Sequence, residues 1–136
     1  RCRPYLDLKS RSRRFLRTLL DTLRRHDIVN ETVISSDYWR LLDELRRAQP
    51  GLRLLRTIGD ERRRAEYAAL PADDPLRAGV AIHRDLLDEE LARLLRSRGV
   101  EVYVWAVDDI EEARRLVDLG ATGIIADDVE LLQALK

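Results

Sequence analysis

The chain has 136 residues, 45% of them hydrophobic and 37% charged, and its 25 basic and 25 acidic side chains give a formal charge of zero. That length allows one compact domain with a real core but falls short of the ~250 residues of a complete (β/α)8 barrel. The balance excludes a basic field that would hold nucleic acid by neutralising phosphates. No apolar run approaches the ~18 residues of a membrane-spanning helix, so the expectation is a soluble globular chain, with the cytoplasm the favoured compartment. The single cysteine, Cys2, cannot form an internal disulfide, and no His or Asp pattern around it supports nucleophilic chemistry. Lys9 and Lys136 are the only lysines, so 23 of the 25 basic residues are arginine, which reads as a coding bias. There is no Met and the chain begins with Arg1, so it reads as a piece of something longer.

Along the chain, short β-type runs alternate with helical runs, the signature of βαβ units on a parallel sheet. The first strand is expected over 5–9 (Tyr-Leu-Asp-Leu-Lys). A helix from about Ser12 follows, with Phe15, Leu16, Leu19, Leu20 and Leu23 on one face. A second strand is expected over 32–35, then a helix capped by Asp37, carrying Leu41, Leu42, Leu45 and Ala48 and stopped by Pro50-Gly51. A third strand spans 52–58, and the stretch 59–79 allows a short helix over 65–70. A fourth strand over 79–83 leads to a helix capped by Asp85, with Leu86, Leu87, Leu91, Leu94 and Leu95, closed by Gly99. The β-rich run 101–107, the stripe Ile110, Ala113, Leu116 and Val117, a strand over 123–126 and a last helix through Leu131, Leu132 and Leu135 complete about six βα units. Periodicity alone fits an open six-stranded parallel sheet equally well.

Three stretches in order narrow that choice. They are Leu6-Asp7-Leu8-Lys9, then Val33-Ile34-Ser35-Ser36 followed by Leu41-Leu42, and last Val102-Tyr103-Val104-Trp105-Ala106-Val107 with Leu119-Gly120-Ala121-Thr122-Gly123-Ile124-Ile125-Ala126-Asp127. Together they resemble the L-E-I-K, I-S-S-F, V-Y-x-W-T-V-N and L-G-V-D-G-I-I-T-D-x-P segments of the glycerophosphodiester phosphodiesterase family. The resemblance implies an α/β fold, part of a (β/α)8 TIM barrel, with six βα units matching family strands 3 to 8 and the first two units absent. It implies a single such domain over residues 1–136, its C-terminal portion. The implied activity of an intact protein is metal-dependent hydrolysis of glycerophosphodiesters to glycerol 3-phosphate and an alcohol.

Such hydrolysis needs a hard divalent cation, Mg2+ or Ca2+, held by carboxylates against the phosphoryl oxygens, and an acid and a base on either side of phosphorus. The family draws its histidines from H-R-G and H-D motifs and its carboxylates from E-x-D and L-E-I-K. The chain's histidines, His26 and His83, lie in neither motif, so the chain alone is expected to be inactive, with no catalytic residue assigned and a non-catalytic binding or scaffold module as the alternative. The resemblance places Asp7 at the metal-binding Glu, one methylene shorter and so ~1.5 Å less far-reaching. Lys9, two residues on along the same strand face, is positioned to meet a substrate phosphate, and the resemblance places Trp105 beside the glycerol moiety. Asp127, lacking the family's Thr and Pro around it, reads as a loop or capping residue. His83 ends a strand and reads first as a surface histidine, His26 as a charge at a helix end. Arg62-Arg63-Arg64 reads as a solvated helix face. The partners expected are a small glycerophosphodiester and no nucleic acid, with self-association through open sheet edges as a further expectation.

Overall fold

The computed structural model describes residues 3–76 and 78–135, so Cys2 and Lys136 lie outside the described residues. Contacts divide the chain into two compact units, Arg1–Thr57 and Ile58–Lys136. Each is built from parallel strands with a helix after each strand, an α/β architecture.

In the first unit, β1 (Tyr5–Leu8), β2 (Val33–Ser36) and β3 (Arg53–Ile58, its last residue falling in the second unit) run parallel. Register sets Asp7 opposite Ser35 and Leu8 opposite Ser36. Between them lie α1 (Arg13–Arg25) and α2 (Trp39–Ala48). Helix α1 starts because the Ser12 hydroxyl accepts the Phe15 N–H, and its leucines 16, 20 and 23 face inward. Phe15, expected on that apolar face, stands exposed at its margin. Strand β2 is buried at all four positions, as a strand covered on both faces should be. Helix α2 begins one residue later than an Asp37 cap would require. Its N-cap is Tyr38, which makes no side-chain cap bond. Asp37 is instead drawn to Lys9.

In the second unit, β4 (Gly79–His83), β5 (Val102–Trp105) and β6 (Gly123–Ile124) are parallel, with His83 opposite Trp105 and Tyr103 opposite Gly123. The helices are α3 (Glu61–Ala68), α4 (Glu89–Arg98), α5 (Ile110–Asp118) and α6 (Val129–Ala134). Helix α3 starts four residues before the expected 65–70 segment, because the Asp60 carboxylate accepts the Arg63 N–H. Asp85 does not cap α4. It sits in a 3-10 turn, Arg84–Leu86, and Asp88 caps α4 by accepting from Leu91 N–H. Gly99 ends α4 in the left-handed region at φ 62°, which a side chain would strain. Strand β5 buries Val102 and Val104 on one face and leaves Tyr103 and Trp105 half-buried on the other. The core of this unit is Val80, Ile82, Leu95, Val104 and Leu116, each at most 1% exposed.

Candidate functional site

The carboxyl ends of the strands carry the polar side chains of interest in each unit. In the first, a chain of hydrogen bonds crosses from β1 to β2. The Tyr5 hydroxyl donates to Ser35 Oγ at 3.0 Å, and Ser35 Oγ donates to Asp7 Oδ1 at 3.2 Å. Lys9 Nζ lies 2.9 Å from Asp7 Oδ2 and 3.3 Å from Asp37 Oδ2. Period-two alternation puts Tyr5 and Asp7 on one face of β1, and parallel register brings Ser35 alongside. The Ser36 hydroxyl donates to the Leu8 carbonyl at 3.0 Å and accepts from Tyr38 N–H at 3.1 Å, pinning the turn that presents Asp37.

The hydrogen bond to Asp7, reinforced by both carboxylates' charge against a smaller desolvation, raises the Lys9 pKa above its ordinary 10.5. Lys9 is therefore an ammonium at neutral pH, and its side chain is 66% exposed, available to an anionic ligand. Buried Arg56, two residues before the end of β3, holds its guanidinium 5.5 Å from the Trp39 ring, and Trp39 Nε1 donates to the Thr57 carbonyl at 3.1 Å.

In the second unit, Trp105 closes β5. His83, its register partner on β4, meets it edge-to-face at 5.0 Å between ring centroids and 85° between planes. Gly59 lies against the far part of the same indole, where an added Cβ would sit 3.6 Å from Cη2. His83 Nδ1 accepts from Asp85 N–H at 3.3 Å, which assigns the ring proton of the neutral imidazole to Nε2. Arg84 Nη1 bonds Asp108 at 2.6 Å and Glu112 at 3.2 Å, tying the 3-10 turn to the start of α5.

The predicted residues thus fall into two groups. Asp7 and Lys9 are in direct contact, and Trp105 is with His83. Asp127 is exposed after β6, and the cap of α6 is Asp128, whose carboxylate accepts from Glu130 N–H at 2.8 Å. His26 caps the carboxyl end of α1. The Arg62–Arg64 run is paired along its helix with Glu66 and Glu61, and Arg64 also reaches Asp88. Ser35, Tyr5 and Asp37 were not singled out as site residues. The register that places Ser35 beside Asp7 was the available signal, and it requires knowing that the two strands pair.

A hard cation takes six to eight oxygens. Among the described residues no three His, Cys, Asp or Glu side chains gather to hold a metal ion, and one oxygen of Asp7 already faces an ammonium. The residues present do not by themselves fit a complete metal centre.

The profile of the Glycerophosphoryl diester phosphodiesterase family matches residues 5–131. Among characterised relatives, "Glycerophosphodiester phosphodiesterase GDPD4" of Arabidopsis thaliana is 39% identical over 56 residues, 41% of this chain and 17% of that protein. "Lysophospholipase D GDPD1" of Homo sapiens is 40% identical over 42 residues, 31% of this chain and 13% of that protein. The crystal structure of a glycerophosphodiester phosphodiesterase from Parabacteroides distasonis superposes with a TM-score of 0.77 at 20% identity, covering 98% of this chain and 56% of that one. At that identity the superposition speaks for the fold. The chain spans about half the length of such a solved structure and aligns with a smaller share of the characterised relatives.

Proposed function

The chain belongs to the glycerophosphoryl diester phosphodiesterase family, and from that premise we propose that it supplies the later six βα units of a barrel that hydrolyses glycerophosphodiesters to glycerol 3-phosphate and an alcohol. In this reading residues 1–136 are one portion of a single domain, and two further βα units complete it. Asp7 offers one oxygen to a divalent cation, Mg2+ or Ca2+, whose other carboxylates lie outside this chain. The cation would neutralise the phosphoryl oxygens. Lys9 binds a substrate phosphate oxygen as a point charge, and Trp105 walls the glycerol moiety. Neither His83 nor His26 sits in a family histidine motif, so the acid and base come from elsewhere and the 136-residue chain alone does not turn over substrate.

The observation that carries the reading is the joined trio Asp7, Ser35 and Lys9 at the carboxyl ends of β1 and β2, the end of a (β/α) barrel where active sites form. The test is release of glycerol 3-phosphate from glycerophosphocholine, run on the isolated chain and on a domain completed with the H-R-G, E-x-D and H-D segments. Release by the completed domain alone, abolished by a chelator, supports the proposal. No release from either refutes it.

A second reading, a non-catalytic binding or scaffold module, is favoured by one specific feature. The Asp7 carboxylate is both shorter than the family's Glu and held by the Lys9 ammonium. In that case β1, which pairs only with β2 among the described residues of its unit, offers its other edge for self-association. Concentration-dependent light scattering distinguishes a monomer from such an assembly.

A further inference from the structure

We propose that the start of α1 is a docking surface for an anionic lipid bilayer, a role independent of catalysis. From residue 9 to residue 17 the chain carries Lys9, Arg11, Arg13, Arg14 and Arg17 and no acid, in a protein whose net charge is zero. Arg11, Arg13, Arg14 and Arg17 are all exposed, and Phe15 stands among them 41% exposed. Several arginines elsewhere are paired with acids, as with Arg62 and Arg63 on Glu66, Arg84 on Asp108 and Arg114 on Glu111. Arg13, Arg14 and Arg17 have no acidic partner within 4.0 Å among the described residues. Arg11 instead stacks on Tyr38, 3.9 Å from its ring centroid.

The placement also runs against helix electrostatics. A helix start favours acids, and α3, α4, α5 and α6 carry Glu in their first turns, whereas α2, like α1, carries none. Helix α1 has no acid there and two arginines. Cations at that end work against the fold, so their concentration is explained by what they meet outside it. One phosphate ion engages two guanidiniums. A plane of anionic headgroups engages all of them at once, and an exposed phenylalanine among arginines suits the boundary between headgroup and acyl chain. Nucleic acid is the poorer fit, because the rest of the chain adds no basic track and the nearby Tyr38 ring is covered by Arg11. Helix α1 starts beyond the carboxyl end of β1, the end that holds Asp7 and Lys9. Docking there brings that end of the first unit to the lipid surface.

The test is co-sedimentation of the whole chain with phosphatidylcholine vesicles, with and without about one third phosphatidylserine. Binding to the anionic vesicles only, lost at high salt, is expected. Each guanidinium near the surface is worth about fivefold in partitioning, so Arg13→Ala/Arg14→Ala/Arg17→Ala lowers it by about a hundredfold. Phe15→Ala lowers it further. Removing three paired charges, Arg62→Ala/Arg63→Ala/Arg114→Ala, changes it by no more than about twofold. Unchanged circular dichroism and melting temperature establish that the variants fold. The proposal is overturned if the wild-type chain ignores phosphatidylserine at low salt, or if the two triple variants weaken binding equally. Displacement by dilute inorganic phosphate, marking a small-anion site, overturns it as well.

Discussion

Lys9 is the pivot of the first unit's polar cluster, because one ammonium answers two carboxylates, Asp7 on β1 and Asp37 in the turn after β2. Its pKa is raised by its hydrogen bond to Asp7, so its contribution to stability is present below the ordinary 10.5 and is lost as pH climbs through the raised value. With the group two-thirds exposed that contribution is small. Its value lies in binding. Lys9→Ala in a completed domain should cut kcat/KM for a glycerophosphodiester by about ten- to a hundredfold, the worth of a charged hydrogen bond, while urea unfolding shifts by less than ~1 kcal/mol. Glycine positions differ for a geometric reason. A Cβ at Gly123 would come within 2.6 Å of the Tyr103 ring, whereas at Gly59 it would make ordinary contact with Trp105 at 3.6 Å. Gly123→Ala should therefore destabilise by about 1–3 kcal/mol in urea titration, and Gly59→Ala by less than ~1 kcal/mol. Asp7, Lys9 and Trp105 could be singled out as candidates because short motifs surround them. Ser35 was not, since its link to Asp7 exists only once two strands are in register.

Among elements, strands announced themselves through β-branched runs, and β4 matches its expected bounds of 79–83. Helix starts were harder to read. Several acids stand near the starts of α3 to α6, and the choice among them depends on tertiary partners that sequence spacing does not contain. Asp37 is claimed by Lys9. Asp88 caps α4 where Asp85 was expected, because Arg84–Leu86 turns as a 3-10 segment first. The Leu91 N–H, with Arg64 nearby, lowers the Asp88 pKa below its ordinary 3.8. A lowered carboxylate stabilises the fold above the unfolded value and loses that effect as pH falls through the folded one. Asp88→Ala should cost about 1 kcal/mol at neutral pH. The gap in melting temperature between wild type and variant should narrow as pH drops below 3.8. A gap that stays constant into acid would mean the carboxylate's charge plays no part in the cap.

For the whole chain, family and fold were readable because three motifs stand in order from residue 6 to residue 127, and the family match over 5–131 spans the same stretch. The division into units ending at Thr57 and Lys136 was not readable, since it reflects contact density rather than any change in composition. In the proposed function, Asp7 gives a completed family barrel one oxygen toward its divalent cation. The measurement that bears on it most directly is the Mg2+ or Ca2+ concentration giving half-maximal glycerol 3-phosphate release, compared among wild type, Asp7→Ala and Asp7→Glu. Asp7→Ala should raise that concentration by at least about tenfold, while Asp7→Glu, restoring the longer carboxylate, should leave it unchanged or lower. An Asp7→Ala domain with the wild-type metal requirement would contradict it.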